Sequence, residues 1–510
     1  MIMKRRSLLK GLTAFGITFP MLGRRAFAQD AGTLRLGLLD YPLSLIPGKN
    51  NHISTQGVIL LMHRGLLTYN FEGKIEGDLA ESVERDGEAS WLVKLRPDVL
   101  FSDGTPVTAA DVKYSIERMA SKELGSVLRA NFATIAPEVV DGTSVRLVTK
   151  TPDATIPSLL ANQQTLIIKA NSDHGSELGI GAGPFVLHRF EQGSYVELVR
   201  SKHYFRTDLP HVSRVRVVGY IDEASRVSAL TAGDVDFIDY VPYNSMDKLE
   251  ATAGVKLRFE QHGGLLFLVF SGKGIFADPR LRKAAAFAIR REEIVKGALY
   301  GRGAPLNGTP RPDGTPYFLK ENVEYWRYDP GYARSLLAEA GHRDGFKCKM
   351  LAASDLAQHR DAAILVQTHL AEIGIKVDLL FADYATRQAA WNRGEGDFGV
   401  NGTGMDSLDP SAFDRIQDPS QPIAAVRSHD IAAPGLTELL AKGKQEFDAA
   451  KRAQIYRQAD AISLEHTTLC GLAYRGTGFA HAERLKGFQV YPGLLSPYSM
   501  RSLNGVSVSK

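Results

Sequence analysis

The chain has 510 residues, with 61 lysines and arginines against 57 aspartates and glutamates, 44% hydrophobic residues and a mean hydropathy of -0.14. Those proportions exclude a disordered chain, a collagen-like repeat and a multi-span membrane protein, and the length allows about two to four packing units, interleaved or in series. The basic excess sits in the first 28 residues, which carry six lysines and arginines and no acid; the remainder is slightly acidic, so no nucleic-acid partner is expected. Cys348 and Cys470 are too few for a disulfide framework or a cysteine-based metal site, and their spacing does not fix whether they pair.

Residues 4–10 read Lys-Arg-Arg-Ser-Leu-Leu-Lys, an apolar stretch runs from Gly11 to Leu22, and Ala26-Phe27-Ala28 ends the segment in a small-x-small pattern. This combination predicts an export signal over 1–28. The apolar run is too short to span roughly 30 Å of hydrocarbon, and Gly11, Gly16 and Pro20 weaken it further; a retained anchor is the alternative. Arg5-Arg6 with Leu8, Leu9 and Lys10 behind resembles the twin-arginine signal of bacteria, and Arg24-Arg25 suits that route better than the general one. No cysteine near the cleavage position offers a lipid anchor, and no later apolar run is long enough to cross a bilayer. The expected product is a soluble periplasmic protein of 482 residues starting at Gln29.

In chain order, Leu34 to Leu39 is the first strand and Val58 to Met62 a short helix. Trp91, Val93 and Leu95 alternate with polar neighbours, the period of a half-buried strand. Asp103-Gly104 makes a turn, and Thr108 with Asp111 three residues on forms a capping box for a helix whose apolar face is Val112, Ile116 and Met119. From about residue 275 helices and strands alternate. Asp278-Pro279 puts a cap residue before a proline at the first helical position, and Leu281, Ala284, Ala285 and Ala288 form the buried stripe. Asp329-Pro330 repeats the device for a helix carrying Ala333, Leu336, Leu337 and Ala340 and stopping at Gly341. A third helix runs to Ile373 and ends at Gly374, after which Ile375, Val377 and Leu379 alternate as a strand. This alternation predicts a mainly parallel sheet covered by helices. No repeat, low-complexity tract or long polar linker interrupts the chain, so any lobes are joined by short crossings.

The segment Phe101-Ser-Asp-Gly-Thr-Pro-Val-Thr-Ala-Ala-Asp-Val-Lys-Tyr-Ser-Ile-Glu-Arg118 closely resembles the signature of the family 5 solute-binding proteins, the peptide and nickel receptors of ATP-binding-cassette importers. Gly181-Ala-Gly-Pro-Phe185, Arg226 to Asp236, Asp278 to Ala284 with Tyr300-Gly301, and Asp329 to Gly341 resemble later blocks of that family in the same order. By their own chemistry these blocks are turns and helix starts that need no ligand, so they identify a fold rather than a site. The resemblance implies an α/β, two-lobed periplasmic-binding-protein fold of type II with an extra domain inserted in the first lobe. The implied partition is lobe 1 over 29–65, 178–262 and 478–510, the insert over 66–177, and lobe 2 over 263–477. Leu265 to Phe270 and Leu472 to Tyr474 then lie close to the two crossings, as buried strands, as hinges that absorb closure, or as both. No cofactor is implied. The implied partners are a small-molecule or peptide ligand and the inner-membrane permease subunits of an importer, met by a monomer.

Gly402-Thr-Gly-Met-Asp-Ser-Leu-Asp-Pro-Ser-Ala-Phe413 resembles the stretch in which peptide-binding members hold the ligand's α-ammonium group with a lone aspartate. Asp406 stands at that place, beside Gly404 and Met405. An enclosed carboxylate is costly unless a cation meets it, so a cationic ligand group is one partner; a turn cap or a pairing with a nearby arginine is the alternative. Gly402 and Gly404 give a ligand close access to backbone, or only shape the turn. One departure limits the resemblance. Dipeptide-binding members place Arg-x-Tyr before the helix that leads into Ile373-Gly-Ile-Lys-Val377, and that arginine clamps the ligand's carboxylate; this chain has Ala353-Ser354-Asp355. Without the clamp a short peptide fits less well than a longer peptide, an amino-sugar conjugate or another cationic or polyhydroxy solute. Ser354 and Asp355 offer acceptors or face solvent, and Tyr41 and His52 are further candidates in the segment that closes over the ligand. Trp391 reads as core.

Catalytic spacings are missing. There is no His-Glu-x-x-His, Gly-x-Ser-x-Gly or Cys-x-x-Cys; Ser271-Gly-Lys-Gly274 lacks two elements of a phosphate loop, and Gly179-Ile-Gly-Ala-Gly-Pro184 has proline where a dinucleotide fingerprint needs glycine. The 13 histidines show no ligand spacing, which argues against a protein metal cage. Some members of the family bind nickel through a small chelator, an alternative to which His52, His359 and His429 lend thin support. The reading is therefore a non-enzymatic binding module, with a periplasmic hydrolase as the alternative from another class, for which no nucleophile has an evident base.

Overall fold

The computed structural model describes residues 32–509 apart from 43, 50–52, 174–177 and 425. The export segment over 1–28 and the candidate His52 lie outside the described residues.

Eleven strands form one large sheet whose middle is a pair of long antiparallel strands, Val255–Phe270 and Cys470–Ala482. On one flank Cys470–Ala482 is followed by Phe237–Ile238, Thr33–Leu38, Arg214–Gly219, Tyr195–Arg200 and Phe185–Glu191. On the other, Val255–Phe270 is followed by Phe398–Thr403, Lys347–Ala353 and Lys376–Ala382. A separate four-stranded antiparallel sheet takes its strands from 80–149.

The large sheet is mixed, which corrects the expectation of a mainly parallel one. Lys347–Ala353 runs parallel to Lys376–Ala382, and Thr33–Leu38 to Arg214–Gly219. The two long strands, however, run antiparallel to each other and to Phe398–Thr403 and Phe237–Ile238. Helix-strand alternation reports only the strands joined by crossover helices. Strands that meet from 200 residues apart leave no such local trace.

The local elements follow their sequence signals. Thr33–Leu38, Ile53–Met62, Ser90–Leu95, Ala109–Ala120, Pro279–Phe287, Pro330–Glu339 and Ala357–Ala371 fall where periodicity and caps put them. Asp278 accepts from the Arg280 amide at 2.8 Å, and Asp329 from the Tyr332 amide at 2.9 Å. At Ala109–Ala120 the acid does the capping: the Asp111 carboxylate accepts from both the amide (2.8 Å) and the hydroxyl (2.6 Å) of Thr108. Gly341 and Gly374 end their helices at φ +84° and +87°, which glycine adopts without strain.

Three main cores hold these elements. One packs Leu34, Leu36 and Leu38 on Val58 to Met62 and Val215 to Val217. The second lies on the four-stranded sheet and is closed by Tyr491, Leu495 and Tyr498. The third packs Leu266, Leu268 and Phe270 under Leu281 to Ile289, Leu337 and Val366. Each leucine or phenylalanine so buried contributes about 1.5–3 kcal/mol. Leu265 to Phe270 are buried on both faces of the sheet, as strands covered by helices on both sides must be. Trp391 is core, donating from Nε1 to the Arg427 carbonyl at 3.1 Å, and Cys348 and Cys470 are buried free thiols.

Candidate ligand-binding site

The ladder between the two long strands is interrupted where they cross. Glu260 pairs with Thr477 and Gly264 with Arg475, so three residues, 261–263, face Gly476 alone. Such a bulge bends its strand and re-aims the neighbouring side chains. A cavity of about 140 Å³ opens beside it. Arg226, Tyr240 and Tyr243 wall it from one flank of the sheet, Tyr300 and residues 356–358, 360 and 361 from the other, and Arg475–Gly478 lie between them.

Two of these wall residues are strained. Tyr240 (φ +44°) and Tyr300 (φ +53°) adopt the left-handed backbone region, which costs a bulky side chain of order 1–3 kcal/mol. Arg226 holds Tyr240 there, donating 2.8 Å hydrogen bonds to the carbonyls of Tyr220 and Tyr240. Its Nε is buried and has no acceptor among the described residues. The Tyr243 hydroxyl donates to the Gly476 carbonyl at 2.7 Å; burial pushes this phenol up to about 12, while the Arg475 charge pulls the other way.

Arg475 is half-buried and, among the described residues, its side chain makes neither a hydrogen bond nor an ion pair. Gly264 stands against it: a Cβ there would lie 2.8 Å from Arg475 Nε and 3.1 Å from the Thr403 carbonyl oxygen. The guanidinium and the end of Phe398–Thr403 therefore share one small volume. Helix Ala357–Ala371 starts at the cavity wall, where Leu356 supplies no side-chain cap. His359, in its first turn, is fully buried with Nδ1 unpartnered among the described residues; burial first, then the charges of Arg475 and Arg387, keep it neutral.

The residues singled out from sequence lie around this cavity rather than in its walls. Gly404 and Met405 hold a turn: the Gly404 carbonyl accepts from Arg415 at 2.7 Å, and the buried Met405 places Sδ 3.7 Å from the same guanidinium. Asp406 is half-buried, and its carbonyl lies 2.8 Å from the Tyr498 hydroxyl. Its carboxylate has no hydrogen bond or ion pair among the described residues, so it neither caps the turn nor pairs with an arginine. Ser354 and Asp355 are exposed just before Leu356, and the Ser354 amide donates to the Ala382 carbonyl at 2.8 Å. Tyr41 is half-buried, packed so closely on Gly219 that a Cβ there would meet its ring at 2.7 Å.

Sequence reasoning missed Arg475, Tyr240 and Tyr243, and treated Arg226 and Tyr300 as scaffold. A signal existed for the first: Cys470–Ala482 is built from apolar and small residues into which Arg475 places the one lysine or arginine. Among the described residues no group of three or more His, Cys, Asp or Glu could hold a metal ion; His429 is buried with Nδ1 2.9 Å from Asp430. No helix among them is long and apolar enough to cross a membrane.

A mixed sheet crossed by two long strands, with helices on its faces and a second small sheet inserted, defines the two-lobed type II class of periplasmic binding proteins. The profile of the bacterial extracellular solute-binding proteins, family 5 Middle, matches residues 74–421, and the chain belongs to that family, the solute-binding proteins of ATP-binding-cassette importers. It is similar to the glutathione-binding protein GsiB of Escherichia coli K12, 26% identical over 94% of this chain and 96% of that one. The solved structure of the periplasmic binding protein AgaA of Agrobacterium tumefaciens R10 with agropinic acid superposes with a TM-score of 0.85 at 31% identity, covering 94% of this chain and 99% of that one. NikA of Staphylococcus aureus, solved with Ni(L-His)2, shares the fold at a TM-score of 0.77 and 20% identity, over 91% and 98% of the two chains. As a member of this family the chain is a binding protein and not an enzyme, and the hydrolase alternative falls away.

Proposed function

We propose that this chain is exported to the periplasm by its first 28 residues, through the twin-arginine route, and there works as a monomer that closes on a small polar solute and hands it to the permease subunits of its importer. The lobes are those of the expected partition, 29–65 with 178–262 and 478–510 against 263–477, with 66–177 inserted. The observation that carries the reading is the cavity at the strand crossing, walled from both flanks of the sheet and bordered by a bulge and two strained tyrosines. A solute drives closure only as far as it binds the closed form more tightly than the open one. GsiB is named for binding glutathione, and AgaA holds agropinic acid; for this chain they favour a small solute rich in polar and charged groups.

Asp406 receives the solute's cationic group. Its half-buried carboxylate has no protein partner among the described residues, and closure on a guest gives it a charge-assisted hydrogen bond. Ser354, Asp355 and Tyr41 complete the described candidate set, His52 stays a candidate by sequence alone, and Gly404 and Met405 shape the turn.

Native mass spectrometry of the full-length protein as purified tests the reading. A small solute should leave it chemically unchanged on unfolding, and Asp406→Asn should bind that solute about 30-fold more weakly, by calorimetry, with the unliganded melting temperature unaltered. Conversion of the solute by the protein would contradict solute capture, and equal affinity in the variant would remove Asp406 from the site.

A further inference from the structure

We infer that Arg475 is a carboxylate-binding residue, and that the solute captured under the reading above, on which this inference rests, carries a carboxylate that docks on the Arg475 guanidinium at the crossing of the two long strands.

Other enclosed arginines set the standard of comparison. Arg311 donates to Asp460, Arg452 to Asp409, Arg501 pairs with Asp78, and Arg226, Arg282 and Arg291 donate to backbone carbonyls. The Arg475 side chain is half-buried and has none of these among the described residues. A half-buried guanidinium without protein acceptors keeps its donors available to an anionic guest. Its surroundings offer no internal counter-ion. Tyr240, Tyr243 and His359, the groups that sense its charge, are all held neutral by burial. Of the acids in the cavity wall, Asp361 is engaged by Arg360 at 3.0 Å and Glu223 is exposed.

Other positive groups belong to the cavity wall. The orphaned Nε of Arg226 belongs to a fully buried side chain in the cavity wall, and the uncapped start of helix Ala357–Ala371 adds the positive end of a helix dipole. The planar fork of an arginine matches the two oxygens of a carboxylate. The spacing also suits one small guest. Arg475 and the Thr403 carbonyl flank the same point beside Gly264, and Asp406 lies three residues further on, a reach of at most about 10 Å. A zwitterion of that length meets Asp406 with its cation and Arg475 with its carboxylate. The arginine missing at 353–355 is thus replaced by one from a different strand.

The test uses the full-length protein stripped of solute by unfolding and refolding, with glutathione and agropinic acid as probes, each beside its carboxamide form. Expected is binding of an acid, seen as a raised melting temperature, with affinity about 30-fold or more lower for the carboxamide and for Arg475→Gln. Arg475→Lys, which keeps the charge without the fork, should fall in between. Unliganded Arg475→Gln should melt like the wild type, because no internal bond is lost. Equal affinity for acid and carboxamide, or undiminished affinity in Arg475→Gln, overturns the assignment while solute capture stands; so does a loss of unliganded stability, which would reveal an internal partner. If neither acid binds, the solute released from the protein as purified decides. One with a carboxylate, bound at least 30-fold more weakly by Arg475→Gln, supports the assignment; one without a carboxylate overturns it alone; and no solute at all overturns both readings.

Discussion

Asp239 shows how single charged residues set the behaviour of this chain. Its carboxyl is buried and gathers three distant segments, accepting from the Leu39 amide at 2.7 Å and from the Ser54 hydroxyl at 2.5 Å. Burial pushes its pKa up to about 6, helped by the charge of Asp40 and opposed by the Ser54 hydrogen bond and Arg226. An aspartate in the unfolded chain titrates near 3.9, so between roughly pH 4 and pH 6 the folded state holds the extra proton. The stability this residue contributes is complete below that window and is lost as the pH rises through it. Melting temperatures measured from pH 4 to 6.5 should therefore fall less steeply in Asp239→Asn than in the wild type; parallel curves would contradict this account. At this scale the sequence singled out a charge where it sits in a recognisable turn, as at Asp406, whose ligand role is proposed above. For Arg475 it offered only a lone charge in an apolar strand, and only the folded chain shows that no acid reaches that arginine.

At the scale of elements, the turn carrying Asp406 is fixed from behind by a buried ion pair. Arg311 donates to both oxygens of Asp460, at 2.8 and 2.7 Å, and to the Pro410 carbonyl at 3.0 Å, so that helix Ala449–His466 and the segment after Asp406 are held through one side chain. Removing one partner strands a buried charge, at a cost of about 3–5 kcal/mol, whereas replacing both with apolar residues removes the penalty. Arg311→Leu should lower unfolding stability by that amount in denaturant titrations, and Arg311→Leu with Asp460→Leu should recover most of it. A double variant as weak as the single one would show that the pair is not the reason. Helices were the most legible elements, because cap, proline and stripe are neighbours in sequence, as at Asp278 and Asp329. Strand direction was not, since the sense of Val255–Phe270 against Cys470–Ala482 depends on residues 200 positions apart.

At the scale of the whole molecule, the segment over 66–177 touches the segment over 407–447. The Tyr69 and Ser407 hydroxyls lie 2.9 Å apart, the Ala154 amide donates to the Lys444 carbonyl at 2.7 Å, and Phe447 packs 6.1 Å from Trp91 under the Arg85 guanidinium. All of these join residues 66–177 to residues 407–447, across the sheet crossing. Under the closure reading such an interface opens when nothing fills the space behind it. The overall architecture was legible because blocks from Phe101 to Gly341 resemble one family in order; the cavity was not, because its walls come from six separate stretches of chain. The most direct test of closure on a guest is small-angle scattering of the full-length protein stripped of solute, before and after the solute is restored to saturation. The radius of gyration should fall on addition and rise again on removal. A radius that stays the same at saturation would contradict the account.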